Sequence, residues 1–366
     1  MEPLKHIIAF MILIMLVSCS KEEVEGNFQP QETYKVPISW DVKSLTEQMP
    51  SSRALMNNNL LETACTPKPH GTGNSIGLWG KYELRANNVQ ALTKVEFDAV
   101  PLTFASKDID SNPYSSWNYP GEAKYWEKDC AYDFRACYPQ GLMTSLMTQM
   151  DATMFQGGPI NTLKLQEDIL VSAMRVNTAN IIQQAPIQID LQHIFAALRF
   201  KVKAVDGFVP ADGEGVTSCW LQNQSSATDL FSPSGYLVHS GNALPEIKWY
   251  PYESSTTPMY VWKHSGVNFT TEKTLYTPNG GLDGNEYTYN DGWLLIVPQQ
   301  VKAGTLHFCY TLQNAGTQVF SVPIPAITYE YAKQYTYLLE IRGSEVEIKL
   351  SITPWNYMES SYDIIL

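Results

Sequence analysis

Hydrophobic residues along this chain follow three patterns: an unbroken run, a four-residue recurrence and many two-residue alternations. The unbroken run is Ile7 to Val17, preceded by Lys5 and closed by Leu16-Val17-Ser18-Cys19. A permanent membrane-spanning helix needs roughly 20 apolar residues. The run is shorter, so residues 1–18 read as a secretory signal. The recurrence is Leu142, Leu146, Met150 and Met154, with Met143 and Met147 alongside, and it predicts a short helix over 142–155. Its methionine stripe reads as core packing rather than as an adaptable binding face.

Alternation predicts strands almost everywhere else. Tyr34, Val36, Ile38, Trp40 and Val42 share one face, with Lys35, Ser39, Asp41 and Lys43 opposite. Pro37 lacks an N–H and marks that segment as an edge or bulged strand. Further strands are expected at 78–82, Val95–Phe104, Asp129–Tyr138 and Ile169–Met174. The pattern restarts after Pro186 with Ile187, Ile189 and Leu191, then Leu198, Phe200 and Val202. Later strands are 236–239, 293–297, 306–312 and 319–324, and a hairpin closes through Arg342-Gly343-Ser344-Glu345. Asn57–Asn74, Ser106–Gly121 and Tyr276–Gly292 read as loops. Many short strands with regular turn signals argue an all-β fold of β-sandwich type with a short helical insertion. A chain of 366 residues suits two domains, 54–186 and 187–366, behind a segment 19–53.

Composition narrows the function. The net charge of -12 argues against nucleic acid and against anionic membrane surfaces as partners. Beyond Cys19 the cysteines are Cys65, Cys130, Cys137, Cys219 and Cys309, an odd set without C-x-x-C spacing. This is neither a disulfide framework nor a zinc motif. On one strand Cys130 and Cys137 face opposite sides, with Cys130 beside Tyr132, Phe134 and Tyr138 as a small core residue.

No catalytic, metal or cofactor constellation emerges. Gly73-Asn74-Ser75-Ile76-Gly77 matches G-x-S-x-G, but loop precedes it and a strand follows, so it reads as the start of a strand. His307 and Cys309 share a strand face without a third ligand, and Asp108-Ile109-Asp110 lacks the remaining ligands of a calcium loop. Arg53-Ala54 lies in a short polar loop and is an accessible site for a trypsin-type protease.

Several stretches together resemble the fimbrillins, lipoprotein (type V) pilins of Gram-negative bacteria. They are the lipobox at Cys19, Ser75–Trp79, Tyr132–Pro139, Asp190–Phe200, Leu295–Gln299, Tyr335–Tyr337 and Ile352–Asn356. The resemblance implies two tandem transthyretin-like (Greek-key) β-sandwich domains. It implies that Cys19 is acylated and becomes the first residue, and the Ser20–Glu25 run resembles the signal that sends lipoproteins to the cell exterior. It further implies an outer-membrane precursor and partnership with other fimbrial subunits in an adhesive fibre, with a host or bacterial surface ligand. In the family an N-terminal strand is removed by an arginine-specific protease and replaced by a strand of the next subunit. Residues 34–42 match the removable strand, and Arg53 matches the cleavage position by order.

At the C-terminus Met358, Ser360, Tyr362, Ile364 and Leu366 share one face and form a candidate donor strand. The alternative is that the tail completes its own domain, which gives a tip or anchor protein that does not polymerise. A different class is a monomeric surface lipoprotein that binds glycans through Trp117, Tyr119, Trp249, Tyr250, Tyr252, Tyr260 and Trp262. That reading requires a contiguous exposed patch.

Overall fold

The computed structural model describes residues 33–44, 58–66, 74–84, 92–105, 117–127, 129–178, 186–205, 215–224, 230–241, 246–252, 254–267, 269–275, 293–312, 319–342, 345–354 and 362–365. The first half runs β1 (Thr33–Pro37), β2 (Trp40–Ser44), α1 (Asn58–Cys65), β3 (Ile76–Leu84), β4 (Leu92–Phe104), β5 (Trp117–Asn118) and β6 (Tyr125–Glu127). It continues with β7 (Cys130–Tyr138), α2 (Gln140–Leu146), β8 (Met147–Met150), β9 (Met154–Asn161), β10 (Leu170–Asn177) and β11 (Ile187–His193). Seven of these strands close a barrel in the order β10-β11-β2-β5-β4-β3-β7.

β7 is buried from end to end because its two faces serve two cores. Cys130, Tyr132, Phe134, Ala136 and Tyr138 point into the barrel with Trp40, Phe97, Leu102 and Ile189. Cys137 points out, into a second cluster with Trp79, Met143, Phe155 and Leu237. The predicted opposition of Cys130 and Cys137 is thus observed.

The second half runs β12 (Ala196–Ala204), β13 (Val216–Asn223), β14 (Ser234–Ser240), β15 (Glu246–Pro251), β16 (Met259–Val267), β17 (Lys273–Thr274) and β18 (Leu294–Ile296). It ends with β19 (Gln299–Val301), β20 (Leu306–Leu312), β21 (Val319–Pro323), β22 (Ile327–Tyr329), β23 (Lys333–Arg342), β24 (Glu345–Pro354) and β25 (Tyr362–Ile365). One sheet is ordered β17-β12-β23-β24-β25, with β18 also on β12; the other is β16-β13-β20-β21. Their facing residues, among them Phe200, Leu221, Phe308 and Tyr337, share one core. Phe200 stacks on Phe308 at 4.5 Å and on Tyr337 at 5.3 Å between ring centroids. This is a β-sandwich.

A four-stranded sheet, β15-β14-β9-β8, draws strands from both halves and covers the outer face of β7. The two halves are therefore joined by hydrogen-bonded strands rather than by a linker.

Three local expectations differ from the structure. The helix expected over 142–155 ends at Leu146 and the chain turns into the β8–β9 hairpin. Asp151 accepts N–H bonds from Thr153 (2.6 Å) and Met154 (3.0 Å) and so builds that turn. Residues flanking a tight turn are spaced like residues on a helix face, so Met150 and Met154 satisfied both templates. Gly157 lets the backbone of Met147 approach where any Cβ would collide.

The second difference is α1, inside the segment read as loop. Leu61 and Cys65, four residues apart, bury in the barrel core and give this short helix its reason to form. The third concerns the expected division at 186/187. β11 lies beyond that point but belongs to the barrel, pairing with β10 and β2 and burying Ile189 and Leu191 in the first core.

Candidate functional site: the strand that closes the barrel

β2 lies between β11 and β5. It runs parallel to β11 in the register Ile187↔Trp40, Ile189↔Val42 and Leu191↔Ser44. Its antiparallel pairing with β5 is the single pair Trp40↔Trp117. The N–H of Ile187 donates to Ser39 O at 2.8 Å, and that of Ile38 donates to Lys124 O at 2.8 Å. β1 leaves the barrel to pair with β6, with an irregular register between Thr33 and Pro37. The predicted single strand is therefore two short ones. Exposed Pro37, opposite Tyr125 of β6, sits at the break, in keeping with proline's place at strand ends and edges.

The alternation read from the sequence does place side chains inside. Ile38, Trp40 and Val42 are all buried in the barrel core, Trp40 completely. Its indole meets Phe97 and Phe134 edge-on, at 5.6 and 5.0 Å between centroids. Such edge-to-face pairs contribute about 0.5–1.5 kcal/mol beyond area burial. Tyr34 and Val36 lie on β1, away from β11.

Of the other predicted site residues, Cys19, Arg53, Ala54, Met358 and Leu366 lie outside the described residues. Tyr362 and Ile364 lie on β25, in register with Ile352 and Leu350 of β24. β25 is the edge strand of its own sheet, paired on one side. The partner of β2 was not legible locally: no nearby residue in the chain signals a parallel strand near residue 190. The one trace is that Ile187, Ile189 and Leu191 alternate with the same period as Trp40 and Val42.

Buried polar groups brace the barrel wall. Asp133 on β7 takes a two-pronged pair from Arg175 on β10, at 2.7 and 3.0 Å. On the same outer face of β7, Arg135 is fully buried and reaches His239 Nδ1 on β14 at 3.0 Å and Gly241 O at 2.7 Å. Burial, then the neighbouring guanidinium, drive the His239 pKa down to about 3, so the ring is neutral and Nδ1 accepts. Burial likewise lowers Arg135 to about 10. Asp168 and His193, both buried, pair at 2.8 Å where β11 ends.

The other candidates assemble no site among the described residues, and Asp108-Ile109-Asp110 lies outside them. His307 Nδ1 and Cys309 Sγ both reach Ser321 Oγ, at 2.8 and 3.6 Å. No group of three or more metal-ligating side chains is assembled among the described residues. Ser75 immediately precedes β3, at the strand entry expected there, and donates to Gln140 Oε1 at 2.8 Å. Among the aromatic residues proposed for a glycan platform, Trp117 and Tyr260 are buried. Trp249 is half-buried, its Nε1–H fixed on Ile194 O at 2.8 Å, while Tyr250 and Tyr252 are exposed. Trp249 also lines an open cleft of about 420 Å³ with Gln300, Glu330, Tyr331 and Lys333.

A sequence profile of the fimbrillin-like family matches residues 71–355, more than half of the chain. Among curated proteins none matches. A fimbrial protein from Bacteroides vulgatus ATCC 8482 superposes with a TM-score of 0.54 at 13% identity, covering 87% of this chain and 99% of that one. The tip fimbrial protein Mfa3 from Porphyromonas gingivalis, with a C-terminal truncation, superposes with a TM-score of 0.38 at 14% identity, covering 77% and 95%.

Proposed function

Because the chain belongs to the fimbrillin-like family, we propose that it is a subunit of a bacterial surface fimbria that assembles by exchange of its barrel-closing strand. The observation that carries this reading is the seat of β2: it is the stave between β11 and β5, and its withdrawal opens the barrel at that seam. The exposed groove would offer Phe97, Phe134 and Ile189 as pockets, with β11 as a parallel template for an incoming strand. Burial of Ile38, Trp40 and Val42 contributes on the order of 8 kcal/mol, while fixing residues 38–44 that carry them costs about 7–14 kcal/mol in backbone entropy. Near-cancellation leaves the strand held by little net free energy. Once cut from the chain, it is replaceable.

In this reading Cys19 is lipidated and holds the precursor at the outer membrane. Cleavage at Arg53–Ala54 releases residues 19–53, including β1 and β2. The tail around Tyr362, Ile364 and Leu366, peeled from β24, is the strand donated to the next subunit. A second reading rests on β25 pairing within its own sheet. A tail that stays there makes the protein a tip or anchor subunit, ending the fibre rather than extending it.

Limited trypsin digestion of the chain starting at Ser20, followed by intact mass and size-exclusion chromatography, tests both. Cleavage at Arg53 with loss of the N-terminal fragment and growth of ladders supports the polymerising subunit. Cleavage and fragment loss without ladders, even after mixing with uncut protein, supports the terminal subunit. Retention of the cut fragment under native conditions, or resistance at Arg53 while other loops are cut, overturns strand exchange.

A further inference from the structure

The outer face of the β14–β15 hairpin carries three tyrosines that the barrel and sandwich cores do not use. Tyr236 on β14 stands directly opposite Tyr250 on β15. Tyr252, one alternation further along, meets Tyr236 edge-on at 5.1 Å between centroids. The three are 37%, 53% and 43% exposed, and they are neighbours rather than scattered. The strands beneath hold them firmly. Tyr252 N–H donates to Ser234 O at 2.8 Å, continuing the ladder, and the opposite face packs Leu237 and Ile247 in the core joining the two halves.

We propose that this tyrosine platform binds neutral carbohydrate. Exposed aromatic rings on a rigid sheet match the C–H faces of pyranose rings, while the phenol hydroxyls suit sugar hydroxyls. The flanking charges cancel: Lys248 pairs with Glu246 at 2.9 Å, leaving no cationic patch for a sulfated or uronic-acid chain. The chain's charge of -12 opposes such a ligand as well. Area argues against a protein partner. The three rings leave roughly 300 Å² in water, whereas a stable protein interface takes about 800 Å² from each side. A patch of this size matches one or two sugar rings. The site is distinct from the β2 seam and does not depend on polymerisation.

Affinity electrophoresis tests this with the uncut chain starting at Ser20, in gels containing one soluble polysaccharide each: β-glucan, xylan, galactomannan or yeast mannan. Polygalacturonate serves as the anionic comparison. The expected result is retardation by at least one neutral polymer and none by polygalacturonate. Joint substitution Tyr236→Ala, Tyr250→Ala and Tyr252→Ala should weaken the interaction at least about tenfold. Tyr250→Trp should retain it, and Tyr125→Ala, at an exposed tyrosine elsewhere, should leave it unchanged. Unchanged thermal unfolding of the triple variant keeps the comparison interpretable. If that variant unfolds early, Tyr250→Ser alone replaces it, with a loss expected there too. Mobility equal to that in a plain gel for all four neutral polymers overturns the proposal. So does retardation that survives loss of the tyrosines. Loss of self-association in place of sugar binding would make the face a subunit contact, and that also overturns it.

Discussion

Trp40 meets Phe134 edge-on at 5.0 Å with an interplanar angle of 85°, and this contact ties the first strands of the chain to the most buried strand of the barrel. Removing the indole leaves a cavity bounded by Phe97 and Phe134. Trp40→Ala should therefore cost about 3–5 kcal/mol in urea-induced unfolding of the uncut chain. Trp40→Phe, which keeps a ring in the site, should cost distinctly less. Equal losses in both variants would mean that the indole's packing is not what matters.

Acid should expose the Arg135–His239 contact. The unfolded imidazole titrates near 6.5, and the folded one near 3. The unfolded state therefore binds more protons between these values. Stability from the neutral ring is fully present above about pH 6.5 and is lost as pH falls toward 3, by on the order of 2–3 kcal/mol between pH 6 and 4. His239→Gln keeps an acceptor for Arg135 and removes this titration. The stability of the wild type relative to that variant should fall with acidification, measured by denaturant unfolding at each pH. A constant difference would refute the assignment.

Asp133 is buried while its partner Arg175 is partly exposed. Arg175→Met strands the carboxylate in the barrel wall and should cost about 2–3 kcal/mol. Adding Asp133→Asn should recover part of that loss, giving a coupling in a double-mutant cycle of about 1 kcal/mol or more. An additive cycle would show that the pair is merely adjacent.

The five cysteines described here are buried free thiols. Burial raises Cys65 to about 12 and Cys130 to about 11, so little thiolate exists near neutrality. Ellman's reagent at about pH 8 should leave the native chain starting at Ser20 unmodified and titrate all five thiols in denaturant. Rapid reaction of any one in the folded protein would contradict its placement.

Strands with one clear face were legible from sequence alone. Tyr335 to Ile341 and Val346 to Leu350 alternate cleanly because one face meets the sandwich core and the other meets water. β7 was also found, and the opposed faces of Cys130 and Cys137 followed from parity alone. Local reasoning stopped where two templates share a spacing, as at Met150 and Met154 around the Asp151 turn. It also stopped where partners are remote. Nothing near Trp40 points to Ile187, and Tyr236 gave no sign that it would stand beside Tyr250. Of the aromatic residues expected to form a platform, Tyr250 and Tyr252 are exposed, whereas Trp117 and Tyr260 are core residues. Whether an aromatic residue is core or surface depends on the layer above it, which a strand's own sequence does not encode.

The parallel register of Trp40 with Ile187 also sets a timetable. Synthesis delivers β2 some 150 residues before β11, its main hydrogen-bonding partner. Until then Ile38, Trp40 and Val42 have no barrel to enter. Closing this seam demands one of the longest loop closures in the chain, which entropy makes slow and local contacts cannot hasten. A strand made early is thereby among the last to be seated, and its waiting interval is when a chaperone would find the nascent chain most exposed.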